Sequence, residues 1–282
     1  MLDMKRVKAL LFTPGTRPDR FAKAESTRAD GLIVDLEDAV GAGDKDHARA
    51  GVAAWFRQHG APARPDFLLC LRINSVYTEA GLRDLLAVMD LAKTGHAPGA
   101  LLLPKVESAV EVELVARHLR GAIPLLALIE SAAGLEQAYA IAAAPSLRCL
   151  AFGGVDLAAD LGCAFAWEPL LAGRARVVQA AASRGLGALD VPYIDIQDGE
   201  GLAAECIRAK AMGFNGKLAI HPGQVDGIAT AFTPTAPEVE FAQGVLAAYR
   251  AAAGGACTYR GKMIDEPVVI AARRLLDRAG AA

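Results

Sequence analysis

Aromatic residues are scarce in this sequence: Phe, Trp and Tyr make up 6% of it, although 53% of its residues are hydrophobic. The apolar mass is therefore mainly Ala, Leu and Val, which suits helices packed against a parallel sheet. Charge of one sign is also missing. Lys and Arg number 30 against 32 for Asp and Glu, a net charge of −2. Such a balance gives no electrostatic footing for DNA, RNA or an anionic membrane surface. Cysteine is sparse and unpatterned. Cys70, Cys149, Cys163, Cys206 and Cys257 are odd in number, show no CxxC spacing and lie mostly in apolar segments. They read as reduced thiols of a cytoplasmic protein. No run approaches the ~18 apolar residues of a membrane span, because charges, Gly or Pro interrupt each one. The first twelve residues hold basic residues but no sustained apolar stretch of a secretory leader.

What is present is alternation. Short, continuously apolar runs at 8–13, 31–36, 67–73, 100–104, 124–129, 148–153, 187–191 and 216–220 have the character of strands covered on both faces. Longer amphipathic stretches at 18–28, 44–58, 78–93, 108–120, 133–143, 168–184, 200–212 and 236–252 separate or follow them. Eight strands alternating with eight helices predict an α/β chain folded as a (β/α)8 TIM barrel. A doubly wound open sheet is the alternative, weakened by the lack of Gly-rich phosphate turns. Ser108 with Glu111 three residues on predicts a capping box, and Gly254 and Gly255 a helix end. The barrel domain is expected over 1–254. Residues 255–282 fall outside the pattern, with a polar turn, "GKMIDEP", and then a basic amphipathic helix. They are expected to form an appended C-terminal helical arm or lid.

In such a barrel the chemistry sits at the C-terminal ends of the strands. Pro14 and Gly15 end the first strand; Asp35, Glu37 and Asp38 the second; Arg72 and Asn74 the third. Lys105 and Glu107 follow the fourth, Glu130 the fifth, Asp156 the sixth, Asp190, Tyr193 and Asp195 the seventh, and His221 the eighth. Glu130 and Asp156 stand out, each a lone carboxylate after a greasy run. Burial makes a carboxylate costly, and two on neighbouring strands repel unless a divalent cation lies between them. Mg2+ takes one or two carboxylates plus waters and substrate oxygens. The competing reading is that both acids cap the helices that follow. Glu37 and Asp38 are candidate catalytic groups that orient a ligand or hold water, or else a helix-capping acidic loop. Arg72 can grip a substrate carboxylate in bidentate fashion, or pair with Glu37 or Asp38. Lys105 is placed for a Schiff base, although so many nearby acids favour its ammonium form. His221 can act as a base or orient a loop.

The same residues carry a family likeness. "LLFTPGTRPDRFAKA" (10–24), "DGLIVDLEDAVGAGDKDHAR" (30–49), "LRIN" (71–74), "LLLPKVES" (101–108), "LIESAAGL" (128–135), "LAFGGVDLAADLG" (150–162) and "GFNGKLAIHPGQV" (213–225) stand in order. Together they resemble the citrate lyase beta-subunit-like family, which includes malyl-CoA and citramalyl-CoA lyases. The resemblance implies a (β/α)8 barrel, usually a homotrimer or a dimer of trimers, using Mg2+ on a CoA or acyl-carrier thioester. It implies Glu130 and Asp156 as metal ligands and Arg72 as the clamp on an oxo-acid carboxylate. Pro14, Gly15 and Gly154 would line the oxo-acid pocket, and Arg17 and Lys23 would meet CoA phosphates. "GKMIDEP" is similar to the segment of the malyl-CoA lyase branch that supplies an acid/base Asp across a subunit interface, here Asp265. The expected activity is cleavage of a 3-hydroxy-carboxyacyl thioester to a 2-oxo acid and an acyl thioester. Alternatives are a citrate lyase beta subunit needing an acyl-carrier protein, a malyl-CoA thioesterase or malate-synthase-like enzyme, and a CoA-binding regulatory module.

Overall fold

The computed structural model describes residues 3–59 and 62–280. Strands with no polar face need cover on both sides, and the chain provides it by following each with helix. The strands are β1 (Ala9–Pro14), β2 (Gly31–Asp35), β3 (Leu68–Arg72), β4 (Ala100–Leu103), β5 (Leu125–Ile129), β6 (Leu147–Phe152), β7 (Gly187–Asp190) and β8 (Gly216–Ala219). They pair in parallel in that order, and β8 closes on β1 to make a barrel. The helices among and after them are α1 (Phe21–Glu25), α2 (Lys45–His59), α3 (Glu79–Lys93), α4 (Ala109–His118), α5 (Ala132–Ala142), α6 (Gly154–Leu161), α7 (Trp167–Ser183), α8 (Gly199–Met212) and α9 (Pro222–Phe232). No helix among the described residues is long and apolar enough to cross a membrane.

The barrel is filled by side chains. Leu10, Ile33, Cys70, Leu102, Leu128, Ala151, Leu189 and Leu218 belong to one buried cluster drawn from all eight strands. Strand side chains alternate between faces, so residues two further along point inward one pleat nearer the C-terminal mouth. Those residues include Phe12, Asp35, Arg72 and Glu130. The period of two thus carries an apolar interior directly into a charged rim.

Two helices depart from expectation. Helix α6 begins within the "GGVDLAADLG" stretch, outside the eight expected helical stretches, and closes at Gly162 in the left-handed conformation, φ +65°. Helix α9 was masked by Pro222, Gly223 and Gly227. Yet Pro is well tolerated in a first turn, and Val225, Ile228, Ala229 and Phe232 make a buried stripe at helical spacing. The expected capping box is present: the Ser108 N–H donates to Glu111 Oε1 at 2.9 Å.

The chain divides into two compact units, residues 1–229 and 230–282. The boundary falls before α10 (Ala236–Ala251), so that helix groups with the C-terminal segment instead of serving as the barrel's eighth helix. The second unit also holds β9 (Cys257–Tyr259), β10 (Lys262–Ile264) and α11 (Glu266–Ala279). Its core joins Ala242 and Val245 of α10 to Ile264, Val269, Ala272 and Leu276. The expected polar turn is instead part of an antiparallel hairpin, reversing at Arg260 and Gly261, both with positive φ (46° and 75°). The last two residues of the expected arm lie outside the described residues.

Candidate active site

Strand β3 ends in Arg72, whose neighbour across the ladder is Asp35 of β2. The guanidinium binds Asp35 in bidentate fashion, Nε to Oδ1 and Nη2 to Oδ2, both at 2.6 Å. Its Nη1 lies 2.9 Å from Glu37 Oε2 and 3.5 Å from Asp38 Oδ2. One face rests 4.8 Å above the Phe12 ring. Burial opposes the charge on Arg72, but the bonds and charge of Asp35 outweigh it and raise its pKa. Lys105 completes the group, with Nζ 2.5 Å from Glu37 Oε1 and 3.3 Å from Asp38 Oδ1. Its pKa is also raised; desolvation is outweighed chiefly by Glu37, so its amine is held protonated and unsuited to a Schiff base. Burial pushes the Glu37 carboxyl up against the pull of Arg72. Asp38 goes the other way: burial would raise it, but the hydrogen bond with Glu37 and the charges of Arg72 and Lys105 bring it down. The two acids are thus shifted in opposite directions, Glu37 toward holding a proton and Asp38 toward losing it.

Glu130 follows β5 and is 3% exposed. It caps nothing, since Ser131 is the N-cap of α5 and accepts from the Gly134 N–H. Its Oε1 accepts the backbone N–H of Lys105 at 2.6 Å. Burial, and then the charge of Asp156, push its carboxyl up to about 8. Asp156 lies in the first turn of α6, half-buried, and is no cap either: the N-cap is Gly153, with no side-chain hydrogen bond. Helix capping is therefore not what holds these two acids at the rim. A Cβ on Gly153 would meet Glu130 Cβ at 2.4 Å and Oε2 at 2.6 Å. The missing side chain leaves room for that oxygen on the β6 side.

Two hard carboxylates with room between adjacent strand ends suit Mg2+, which keeps waters and takes further oxygens from substrate. Among the described residues no group of three or more His, Cys, Asp or Glu forms a closed cage. An open two-carboxylate site is the arrangement a substrate-binding Mg2+ needs.

The other predicted residues fall as follows. Gly15 is buried where β1 leaves the barrel, its N–H donating to the Asp35 carbonyl at 2.7 Å. A Cβ there would lie 2.8 Å from that oxygen, so only glycine fits. Pro14 beside it is half-buried. Gly154 is buried and starts α6. Arg17 is exposed in the β1–α1 connection, paired with Asp19 at 2.8 Å, and Lys23 is exposed on α1. Asp265 lies in the second unit as the N-cap of α11, accepting the Val268 N–H at 3.5 Å. His221 is exposed and accepts the Gly223 N–H through Nδ1, a loop-orienting contact. Asp190 is not at the mouth: it faces outward and binds Arg174 at 2.9 Å and Lys217 at 2.8 Å. That network, with Glu205, was not anticipated, because a Lys on a strand and an Arg on a helix carry no local signal of meeting. Asp35 was visible as a strand end, but its pairing with Arg72 depends on the β2–β3 register.

Residues 8–222 match the family model described as HpcH/HpaI aldolase/citrate lyase. The chain belongs to this family. The membership makes it an enzyme of the carbon–carbon lyase type. A relative within reach is a (3S)-malyl-CoA thioesterase of Cereibacter sphaeroides, 36% identical over 97% of this chain and 95% of its own. Another is the mitochondrial citramalyl-CoA lyase of Homo sapiens, 32% identical over 93% of this chain and 82% of its own. Among solved structures, CitE of Mycobacterium tuberculosis in complex with magnesium, acetoacetate and coenzyme A is 36% identical. It superposes with a TM-score of 0.81 over 98% of this chain and 99% of that one.

Proposed function

We propose that the chain cleaves a 3-hydroxy-acyl thioester carrying a carboxylate on its carbinol carbon, releasing a 2-oxo acid and an acyl-CoA. The observation that carries this reading is the pair of acids Glu130, just after β5, and Asp156, in the first turn of α6 after β6, neither of them a helix cap, beside Arg72 at the rim. Glu130 and Asp156 hold Mg2+, as the magnesium in the related CitE complex supports. The bound cation supplies a Lewis acid and a template for the oxo-acid oxygens. Arg72 orients the substrate carboxylate, with Pro14, Gly15 and Gly154 lining the pocket. Asp38 accepts the hydroxyl proton as the carbon–carbon bond breaks. The bonding electrons pass to the thioester enolate, and Asp265 delivers a proton to its carbon. Asp265 does so from a neighbouring chain of a homotrimer, while Arg17 and Lys23 meet the CoA phosphates. The protein works in the cytoplasm.

A second reading is favoured by one observation, the 36% identical relative named as a malyl-CoA thioesterase. Malyl-, citramalyl- and citryl-CoA, each assayed with Mg2+, separate the two. A lyase releases glyoxylate, pyruvate or oxaloacetate with no free thiol; a thioesterase releases CoA thiol. Turnover that appears only with a carrier-protein thioester would identify a citrate lyase beta subunit instead. Loss of 2-oxo acid release in Glu130→Ala and Asp156→Ala is expected, and full retention would defeat the metal assignment.

A further inference from the structure

Lys105 touches both halves of the site. Among the described residues five non-glycines have positive φ, and Lys105, at +51°, is the one that follows a barrel strand. An L residue rarely adopts this conformation, and where it persists at a site it reports a geometric demand. Here the demand is visible. The chain leaves β4 through Pro104, turns at Lys105, and rejoins β5 when the Val106 N–H bonds the Leu128 carbonyl at 3.2 Å. The turn aims the Lys105 N–H at Glu130 Oε1, 2.6 Å away. It also sends the side chain across the mouth to Glu37 and Asp38.

Each contact has a separate consequence. With Oε1 committed to the amide, the other oxygen of Glu130 is left for a cation. On the far side, two cations, Arg72 and Lys105, face three carboxylates, Asp35, Glu37 and Asp38. Arg72 already meets all three acids; without the ammonium it would balance them alone, and a substrate carboxylate would have to displace more tightly held partners.

We propose that Lys105 is a positioning residue with two separable parts: a left-handed backbone that orients Glu130 toward the metal, and an ammonium that shares Glu37 and Asp38 with Arg72, so that a substrate carboxylate can compete for the guanidinium. This rests on the reading of Glu130 and Asp156 as Mg2+ ligands and of Arg72 as the carboxylate clamp. The test uses the full chain, with Mn2+ binding followed by electron paramagnetic resonance and pyruvate binding followed by calorimetry in Mg2+. Lys105→Gly tolerates positive φ, Lys105→Met keeps the chain length without charge, and Lys105→Val disfavours the left-handed backbone. Gly and Met should leave Mn2+ affinity close to wild type, whereas Val should weaken it by roughly tenfold or more, as loss of a group orienting a ligand does. Gly and Met should weaken pyruvate binding, and Lys105→Arg should recover it in part. Wild-type Mn2+ affinity in Lys105→Val would overturn the backbone part. Wild-type pyruvate affinity in Lys105→Met would overturn the side-chain part. Glu130→Ala runs alongside: if it binds Mn2+ normally, the metal assignment fails first and takes the proposal with it. If only Glu130→Ala loses the metal, the assignment stands and the backbone part alone falls.

Discussion

Glu130 is a carboxyl that burial and Asp156 push up to about 8, from 4.5 in an unfolded chain. Between those values the metal-free native state binds a proton that the unfolded state has lost. Its stabilising contribution is therefore present below pH 4.5 and lost as pH rises through about 8. A cation binds the ionised form, so Mg2+ should matter most where that form is costliest. Thermal melts from pH 5 to 9 should show the metal-free melting temperature falling, and the increment produced by Mg2+ growing, over the same span. In Glu130→Gln both trends should flatten; if they persist, another group is responsible. Asp265 allows a different separation. As an N-cap, Asn serves as well as Asp, but it cannot donate a proton as a carboxylic acid does. Asp265→Asn should keep the wild-type melting temperature and lower kcat by about 100-fold or more. A normal kcat would remove Asp265 from the reaction.

At the scale of elements, the site depends on how closely β5 and β6 approach at their ends. Gly153 is required by that approach, since its own φ of −99° is open to any residue. Gly153→Ala places a methyl 2.6 Å from Glu130 Oε2. The barrel core lies below this contact, so the fold should survive. Metal affinity should fall by roughly tenfold or more, read by titration calorimetry with Mg2+; unchanged affinity would mean that Oε2 is not the oxygen involved. The elements themselves were largely legible. Short, continuously apolar runs located all eight barrel strands to within a residue or so, and Ser108 with Glu111 announced α4. Helices α6 and α9 were missed because Gly and Pro at their first turns read locally as loop.

Over the whole barrel, closure between β7 and β8 is accompanied by a buried charge network behind the wall. Lys217 and Asp190 are each 0% exposed, and Arg174 is 1% exposed, stacked between Phe152 and Trp167. Removing one member strands the others. Lys217→Ala should cost about 3–5 kcal/mol, seen as a lower denaturation midpoint, while Mg2+ affinity of the folded protein stays unchanged. A variant as stable as wild type would show that the network contributes no net stability. The division at residue 229 is a property of this scale too. An amphipathic helix such as α10 carries no mark saying which surface it will cover. Its pairing with α11 arises from the Ala242, Val245, Val269 and Leu276 contacts.

The alternation of apolar runs and helical stretches determined by itself a parallel sheet covered by helices, and favoured the barrel over an open sheet; the closure of β8 on β1 came from the tertiary structure. It also placed Arg72, Glu130 and Asp156 at strand ends, where a barrel keeps its chemistry. Tertiary structure alone decided what each carboxylate faces. Asp35 meets Arg72 through strand register, Asp190 turns outward to Lys217 through the strand pleat, and Lys105 joins Glu37 to Glu130 through a left-handed turn. These partners are 25 to 68 residues apart, and nothing in the local sequence encodes such a meeting.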